Sequence, residues 1–378
     1  NRCRHYVARA GCWNRDGLKM TTERRIIQAA AGAGGGEIDY GYLAFPQAKE
    51  NYSSNHNNYL SLADVEDPQN MTMAGGTLLS VGSYNTHTWG ITSDPINKVV
   101  FLSSKAGDLI HAINVPSLST IWSKVVTNSK ALVHDNENQI LYYVNGYSTL
   151  TAVDATDGTV LGALSLTGRS MDLDQIFSAI LVDDNTRLVL IQAYVSDAAE
   201  KCVMTVDVSD VTAMSVDATQ ALDIYGSGYH GIEWDVDNEI VWVNAYYDTK
   251  VYGLTKSGSG WAKTYSITTA AQPISMTFAP DLGYVFVGCS GELQGWNISN
   301  LSSITKDYSN TTRREYGLSY DPSISTLYGT RTPYSTSWGI TSFDFSGSLS
   351  SPTVTQFANL GTPYTTYTAG SSYVSVLI

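Results

Sequence analysis

The sequence predicts an all-β fold: a seven-bladed β-propeller closed by pairing N-terminal and C-terminal strands, with an extended N-terminal arm. The first observation behind this is a short apolar strand that runs into an Asp-rich or Pro-rich turn and then a second apolar strand. It occurs as Gly90-Ile91-Thr92-Ser93-Asp94-Pro95 leading to Val99-Val100-Phe101-Leu102, and as Gly231-Ile232-Glu233-Trp234-Asp235 leading to Ile240-Val241-Trp242-Val243. With the turn residue as anchor, the repeat falls at Asp94, Asp135, Asp183, Asp235, Pro280, Asp321 and, in its most degenerate form, Ala369. The second observation is the spacing of about 40 to 50 residues between anchors, the length of one four-stranded blade. The third is a pair of strand-like stretches near the N-terminus that supply what the last repeat lacks.

Within the first full repeat the strand after the anchor covers Lys98 to Ser103, a third covers Leu109 to Val115 and a fourth Thr120 to Val125. Apolar and polar residues largely alternate in the outer two, as half-buried strands require. At the C-terminus the anchor Thr365-Thr366-Tyr367-Thr368-Ala369 is followed by one strand, Tyr373 to Ile378, which leaves two strands missing. Tyr59 to Pro68, followed by Met71-Thr72-Met73 and Thr77 to Ser80, has the layout of Val203 to Val211. Residues near 58 to 83 are therefore expected to be the outer strands of the last blade. Such closure leaves no open sheet edge between first and last blades. The expected domains are an N-terminal arm over 1–57, of which 1–19 reads as an upstream extension of the frame, and a propeller over 58–378.

Composition suits this reading. Charged residues make up 15% of the 378, with 32 Gly and 25 Tyr, as in a compact, turn-rich β protein. No stretch approaches the ~20 apolar residues of a membrane-spanning helix. The formal charge is −13, yet the first 19 residues hold five basic groups (Arg2, Arg4, Arg9, Arg15, Lys19) against Asp16 alone. The remainder has 17 basic and 34 acidic residues, a net of −17 that would repel a nucleic-acid backbone. Cys3 and Cys12 lie in the leader, while Cys202 and Cys289 fall in strands of different blades and are expected to be buried thiols. Asn-x-Ser/Thr sequons begin at Asn51, Asn70, Asn297, Asn300 and Asn310, five against the about four that chance gives for this Asn, Ser and Thr content.

Leu60 through Leu102 resembles the bacterial propeller repeats of the LVIVD and YVTN type, in which a Val-x-Asp-Pro turn precedes Leu-Val-Gly-Ser-Tyr and a Gly-Ile strand. The matching residues are Asp64-Val65-Glu66-Asp67-Pro68, Leu79-Ser80-Val81-Gly82-Ser83-Tyr84 and Trp89-Gly90-Ile91. The resemblance covers one repeat and implies the fold; propellers host many unrelated activities. From Met20, the run Thr21-Thr22-Glu23-Arg24-Arg25-Ile26-Ile27-Gln28 and the Gly/Ala tract to Gly36 is similar to leaders on virion structural proteins of tailed phages, marine ones especially. That resemblance implies an arm, carried by Arg24, Arg25, Ile26 and Ile27, that docks on a particle.

Five residues before each anchor, at the start of the innermost strands, stand Trp89, Lys130, Ser178, His230, Ser275, Tyr316 and Tyr364. They should ring one mouth of the central channel. Trp89, Lys130, His230, Tyr316 and Tyr364, with Glu233 on an inner strand, form the expected binding site. A central metal would need several carboxylates, Asn or His, and only His230 is a standard ligand there, so neither metal nor cofactor is expected. His87, Glu233 and Glu315 offer the one constellation for acid/base chemistry, and no catalytic residue is assigned from it. Asp135-Asn136-Glu137-Asn138, Asp183-Asp184-Asn185 and Asp235-Val236-Asp237-Asn238 partly resemble calcium loops but lack the Gly and terminal Glu. Asp and Asn suit tight hairpins for backbone reasons alone. Tyr142-Tyr143, Tyr246-Tyr247 with Tyr252, and Tyr334 to Trp338 offer flat, amphipathic contact area, or packing between blades.

The functional expectation is a non-enzymatic virion structural protein, of a capsid or tail appendage, that displays its propeller for protein-protein or host-surface binding. Its partners would be other virion proteins through the arm, a host-surface glycan or protein, and in a homo-oligomer a second copy. The alternatives are a secreted or cell-surface bacterial binding propeller and a propeller hydrolase or lyase.

Overall fold

A computed structural model of the protein describes residues 41–49, 56–82, 88–104, 108–127, 129, 131–146, 148–167, 176–192, 203–222, 224, 227–311, 315–331, 340–356 and 376–378. These form seven four-stranded antiparallel sheets, and the described residues contain no helix. Six blades each take four consecutive strands. Their innermost strands are Thr88–Asp94, Leu132–Asp135, Ile176–Val182, Ser227–Asp235, Pro273–Ala279 and Glu315–Asp321, numbered here as blades 1 to 6. The innermost strands of adjacent blades pack on one another around the ring.

In four blades the first hairpin is set by its anchor carboxylate. Asp94 accepts the backbone N–H groups of Ile96 and Asn97 at 3.0 Å and the Asn97 side-chain amide at 2.7 Å. Asp135 does the same with Glu137, Asn138 and the Asn138 side chain. Asp235 takes Asn238 twice, and Asp321 takes Ser323. These four carboxylates are buried, so the turn amides replace the water that a buried charge would otherwise lose. The turns close through a residue at positive φ, Lys98, Gln139, Glu239 and Ser325 in these four blades.

A size rule fills the blade interiors. The third residue of the second strand is aromatic in five blades and pairs across the sheet with a small residue of the third strand. The pairs are Phe101 with Ala112, Tyr142 with Ala152, Trp242 with Gly253, Phe286 with Gly295 and Tyr328 with Ser342. A Cβ on Gly295 would stand 2.9 Å from the Phe286 ring and 3.0 Å from Tyr308, so the ring occupies the space a side chain would need. Polar atoms then stitch neighbouring blades: Trp122 Nε1 donates to the Ala155 carbonyl at 2.9 Å, Trp261 Nε1 to Thr205 Oγ1 at 3.1 Å, and Asn244 Nδ2 to the Ile274 carbonyl at 3.1 Å.

The closing blade differs from the expectation. Its innermost strand is Val376–Leu377, and the other three, Tyr42–Lys49, His56–Asp64 and Thr72–Gly82, all come from the N-terminal side. The ring therefore extends back to Tyr42 rather than 58, and the closure is one strand to three rather than two to two. Tyr42 and Ile378 exchange backbone hydrogen bonds of 3.0 and 2.8 Å, and Leu43, Ala44 and Ile378 are fully buried. Pro46 hid this strand in the sequence, because a proline argues against a sheet interior. Here it lies beyond Leu43 and Ala44, the two residues that pair with the last strand. The seventh anchor at 365–369 lies outside the described residues.

The Phe286–Gly295 pair gives a test of the size rule. Phe286→Ala is expected to cost about 3–5 kcal/mol and Gly295→Ala about 1–3 kcal/mol. In the double variant the new methyl enters the vacated space, so its loss, read by thermal and urea melts, should fall short of the sum of the two. Strict additivity would contradict the pairing.

Candidate functional site

Antiparallel connection gives the two edges of each blade different chemistry. One edge carries the turns after the first and third strands; the other carries the turns after the second strands and the connections between blades. We refer to them as the turn face and the loop face. The expected mouth residues belong to the loop face, where the innermost strands begin.

Trp89, His230 and Tyr316 lie in the innermost strands of blades 1, 4 and 6, as expected, and their side chains are outside the described set. Lys130 and Tyr364 lie outside the described residues, as do Arg24, Arg25, Ile26 and Ile27. Ser178 and Ser275 are buried. Glu233 is half-buried and sits opposite Trp242, two residues from the turn-face end of its strand, so it is displaced from the mouth where His230's strand begins.

Acid/base chemistry loses one of its three candidates. Glu315 is fully buried, accepts the Thr341 hydroxyl at 3.0 Å and lies over Gly329 within its own blade. His87 is outside the described residues. Among the described residues no group of three or more His, Cys, Asp or Glu could hold a metal ion. Asp135 and Asp235 use their carboxylates as hairpin caps, whereas the Asp183 carboxylate pairs with Lys256 at 2.6 Å. Asp235 is pushed up from the usual carboxylate range, by burial first, with the Asn238 bonds opposing.

The tyrosines separate into packing and surface. Tyr142 and Tyr143 are buried, and burial, reinforced by Asp135, pushes the Tyr142 hydroxyl up to about 12. Tyr252 is buried too; its hydroxyl donates to Asp248 at 3.0 Å and Lys263 Nζ lies 4.5 Å from its ring centre. Tyr246 and Tyr247 instead sit in a loop-face turn of blade 4, edge to face at 5.1 Å, with Tyr247 43% exposed. Tyr246, Tyr247, Asp248 and Lys250 make the candidate contact surface among the described residues, aromatic with both charges beside it. Tyr334 to Trp338 lie outside those residues. Cys289 is a buried free thiol pushed up to about 12 by burial and Glu292, as a structural cysteine is; Cys202 is not described.

Comparison with known proteins reveals the same architecture. The structure of a functionally unknown protein from Desulfotomaculum acetoxidans matches with a TM-score of 0.59 at 11% identity, covering 82% of this chain and 98% of that one. The C-terminal WD40 domain of Sif2 matches at 0.52 and 8% identity, over 90% and 88%. The β-propeller domain of Cps50 (Swd1) from Myceliophteria thermophila gives 0.52 and 8%, over 72% and 88%. A chain of the mitotic checkpoint complex gives 0.53 and 13%, over 76% and 87%. No protein-family model and no curated protein sequence matches the chain. At these identities the likeness is one of fold, and the fold is a seven-bladed β-propeller.

Two buried histidines predict a pH dependence of the ring's stability. His134 on the innermost strand of blade 2 lies tilted against Phe101, ring centres 4.9 Å apart, and donates from Nδ1 toward Asn136 Oδ1 at 3.0 Å and the Ser93 carbonyl at 3.3 Å. Burial lowers it below its ordinary 6.5 despite Asp94 and Asp135, and burial lowers His111 likewise. The unfolded chain therefore binds the extra protons, and the contribution of these groups to stability is full above pH 6.5 and lost as pH falls below it. Melting temperature should drop between about pH 6.5 and 5, and His111→Gln/His134→Gln should flatten that slope. An unchanged slope would refute the assignment.

Proposed function

We propose that this chain is a non-enzymatic binding propeller, a virion structural protein whose N-terminal arm anchors it to a particle while the loop face meets a protein or glycan partner. One observation carries the proposal. Tyr42 enters the ring at the turn face, bonded to Ile378, on the side opposite the loop face. Attachment on one side and display on the other is what an anchored recognition module requires. The similarity of Arg24 to Gly36 to tailed-phage leaders points to the particle, and a structural neighbour within the mitotic checkpoint complex gives a precedent for the fold in an assembly. The exposed Tyr247 beside Tyr246 suits recognition through a rigid aromatic pair.

The test is the composition and topology of purified particles. They should contain the chain, and Arg24→Glu/Arg25→Glu/Ile26→Asp/Ile27→Asp should reduce its incorporation without changing the melting temperature of the ring. An epitope inserted after Gly146, on the loop face, should bind antibody on intact particles, whereas one inserted after Asp210, on the turn face, should be shielded. Particles devoid of the chain would sink the proposal, and the reverse labelling pattern would invert the display geometry.

A further inference from the structure

The rim of blade 1 lacks the protection that other blades give theirs. Thr120–Val125 is the outermost strand of this blade, and among the described residues no strand pairs with its outer edge. Its side chains alternate. Trp122 and Lys124 turn to blade 2, where Trp122 Nε1 donates to the Ala155 carbonyl and Lys124 Nζ to the Gly158 carbonyl, both at 2.9 Å. Ile121, Ser123 and Val125 are exposed, Ile121 by 46% and Val125 by 78%. An edge strand is ordinarily guarded by charge, because its unpaired N–H and C=O groups are a template for another strand. Blades 3, 4 and 5 follow this rule, with Asp217, Lys263, and Lys306 and Asp307 exposed on their outer strands. The outer strands of blades 2 and 6 expose one large apolar residue each, Val160 and Val354. Blade 1 exposes two, and the one charge of its strand is folded back on Gly158.

The backbone is set for a further partner. Val126 N–H donates to the Asp108 carbonyl at 2.6 Å, in a ladder that pairs Leu109 with Val125 and His111 with Ser123. Antiparallel ladders alternate, so the N–H and C=O groups of Ser123 and Val125 point away from the third strand. The register shift at Ala112 and Ile113 falls before Trp122, which leaves Trp122 to Val125 regular.

The strand's own sequence fits a second copy. Antiparallel pairing about Ser123 sets Ile121 of each copy beside the partner's Val125, and Lys124 opposite the partner's Trp122 rather than opposite itself. Between Asp108 and Asp135 the chain has no carboxylate. Two copies of formal charge −13 therefore meet at a stretch free of the groups that repel them.

We propose that Thr120–Val125 is the seam of a two-fold dimer, in which the outer strands of blade 1 of two copies pair antiparallel about Ser123 and join two sheets into one. The contact uses the same edge in both copies and so closes at two. It lies on the rim, leaves both faces of the ring open and does not rest on the particle reading.

Sedimentation velocity of the full-length chain from about 1 μM to about 1 mM tests this and should show a monomer–dimer equilibrium. Val125→Lys and, separately, Ile121→Lys should each raise the dimer Kd at least about tenfold. Neither should change the melting temperature of the ring, because both side chains are largely in water already. In Ser123→Cys, mild oxidation should join two copies through position 123, read by mass spectrometry, because a hydrogen-bonded antiparallel pair holds its Cα atoms about 5.5 Å apart, within disulfide reach. A monomer at every concentration, a Kd indifferent to both lysine variants, association that runs past the dimer, or oxidation that never joins copies through position 123 would each overturn the proposal.

Discussion

A single propeller blade cannot bury its own faces, so every blade depends on two neighbours and the ring depends on the pairing of Val376–Leu377 with Tyr42–Lys49. That pairing joins segments more than three hundred residues apart, and closing so long a loop costs on the order of 5 kcal/mol of chain entropy. The apolar residues it buries outweigh that cost. Ala44, Leu60, Leu62 and Ile378 pack with Val100 and Leu102 of blade 1, and Leu43, Ala63, Val65 and Met71 pack with Tyr328 and Ile340 of blade 6. At about 1.5–3 kcal/mol for each large side chain fully buried, a few of them suffice. Tyr328 and Ser342 add hydrogen bonds to the carbonyls of Val65 and Pro68, at 3.3 and 2.7 Å.

Closure also fixes direction. Because Tyr42 pairs with Ile378 at the turn-face end of the last strand, the described chain enters the ring on that side. The first-strand turns share that side, and their form is dictated by buried Asp caps that accept two or three hydrogen bonds each. The other side receives the turns and connections whose length varies from blade to blade. A rigid, repetitive face and a variable face thus follow from one antiparallel topology, and the functional asymmetry argued above rests on it.

The repeat was legible because a local requirement recurs from blade to blade: an apolar run, a tight turn that an Asp caps in four blades, and a second apolar run. Thr120–Val125 emerged with the bounds expected of it, and the neighbouring strands within a residue or two. Closure was only half legible. The strands near 58–83 resembled Val203 to Val211 because both end in a turn of the form Asp-Val-x-Asp, in which Val65 and Val208 are buried. Tyr42–Lys49 lacks that turn and contains Pro46, so its membership of the blade is set by partners distant in sequence. Asn297 and Asn300 read as sequons and are turn caps. Spacing counts backbone positions, and Glu315 shows the limit: near a strand start, it turns into its own blade to meet Thr341.

Where the buried polar groups are spent bears on what the surface can do. Glu292 accepts the Ser309 hydroxyl at 2.9 Å and the Gln294 side chain, and Gln294 in turn receives Trp296 Nε1 at 2.9 Å. Asp281 accepts the Tyr320 hydroxyl at 2.9 Å across the boundary between blades 5 and 6, and the Asp135 cap also accepts the Asn185 amide of blade 3 at 2.9 Å. Each of these acids is engaged in holding strands or blades together, and moving one toward a substrate would leave its partner unsatisfied at a cost of about 1–3 kcal/mol. Reactivity at such positions would therefore compete with the fold. Tyr247, by contrast, is 43% exposed to water beside Tyr246. Recognition through aromatic and charged surface is the function that this division of polar groups leaves inexpensive.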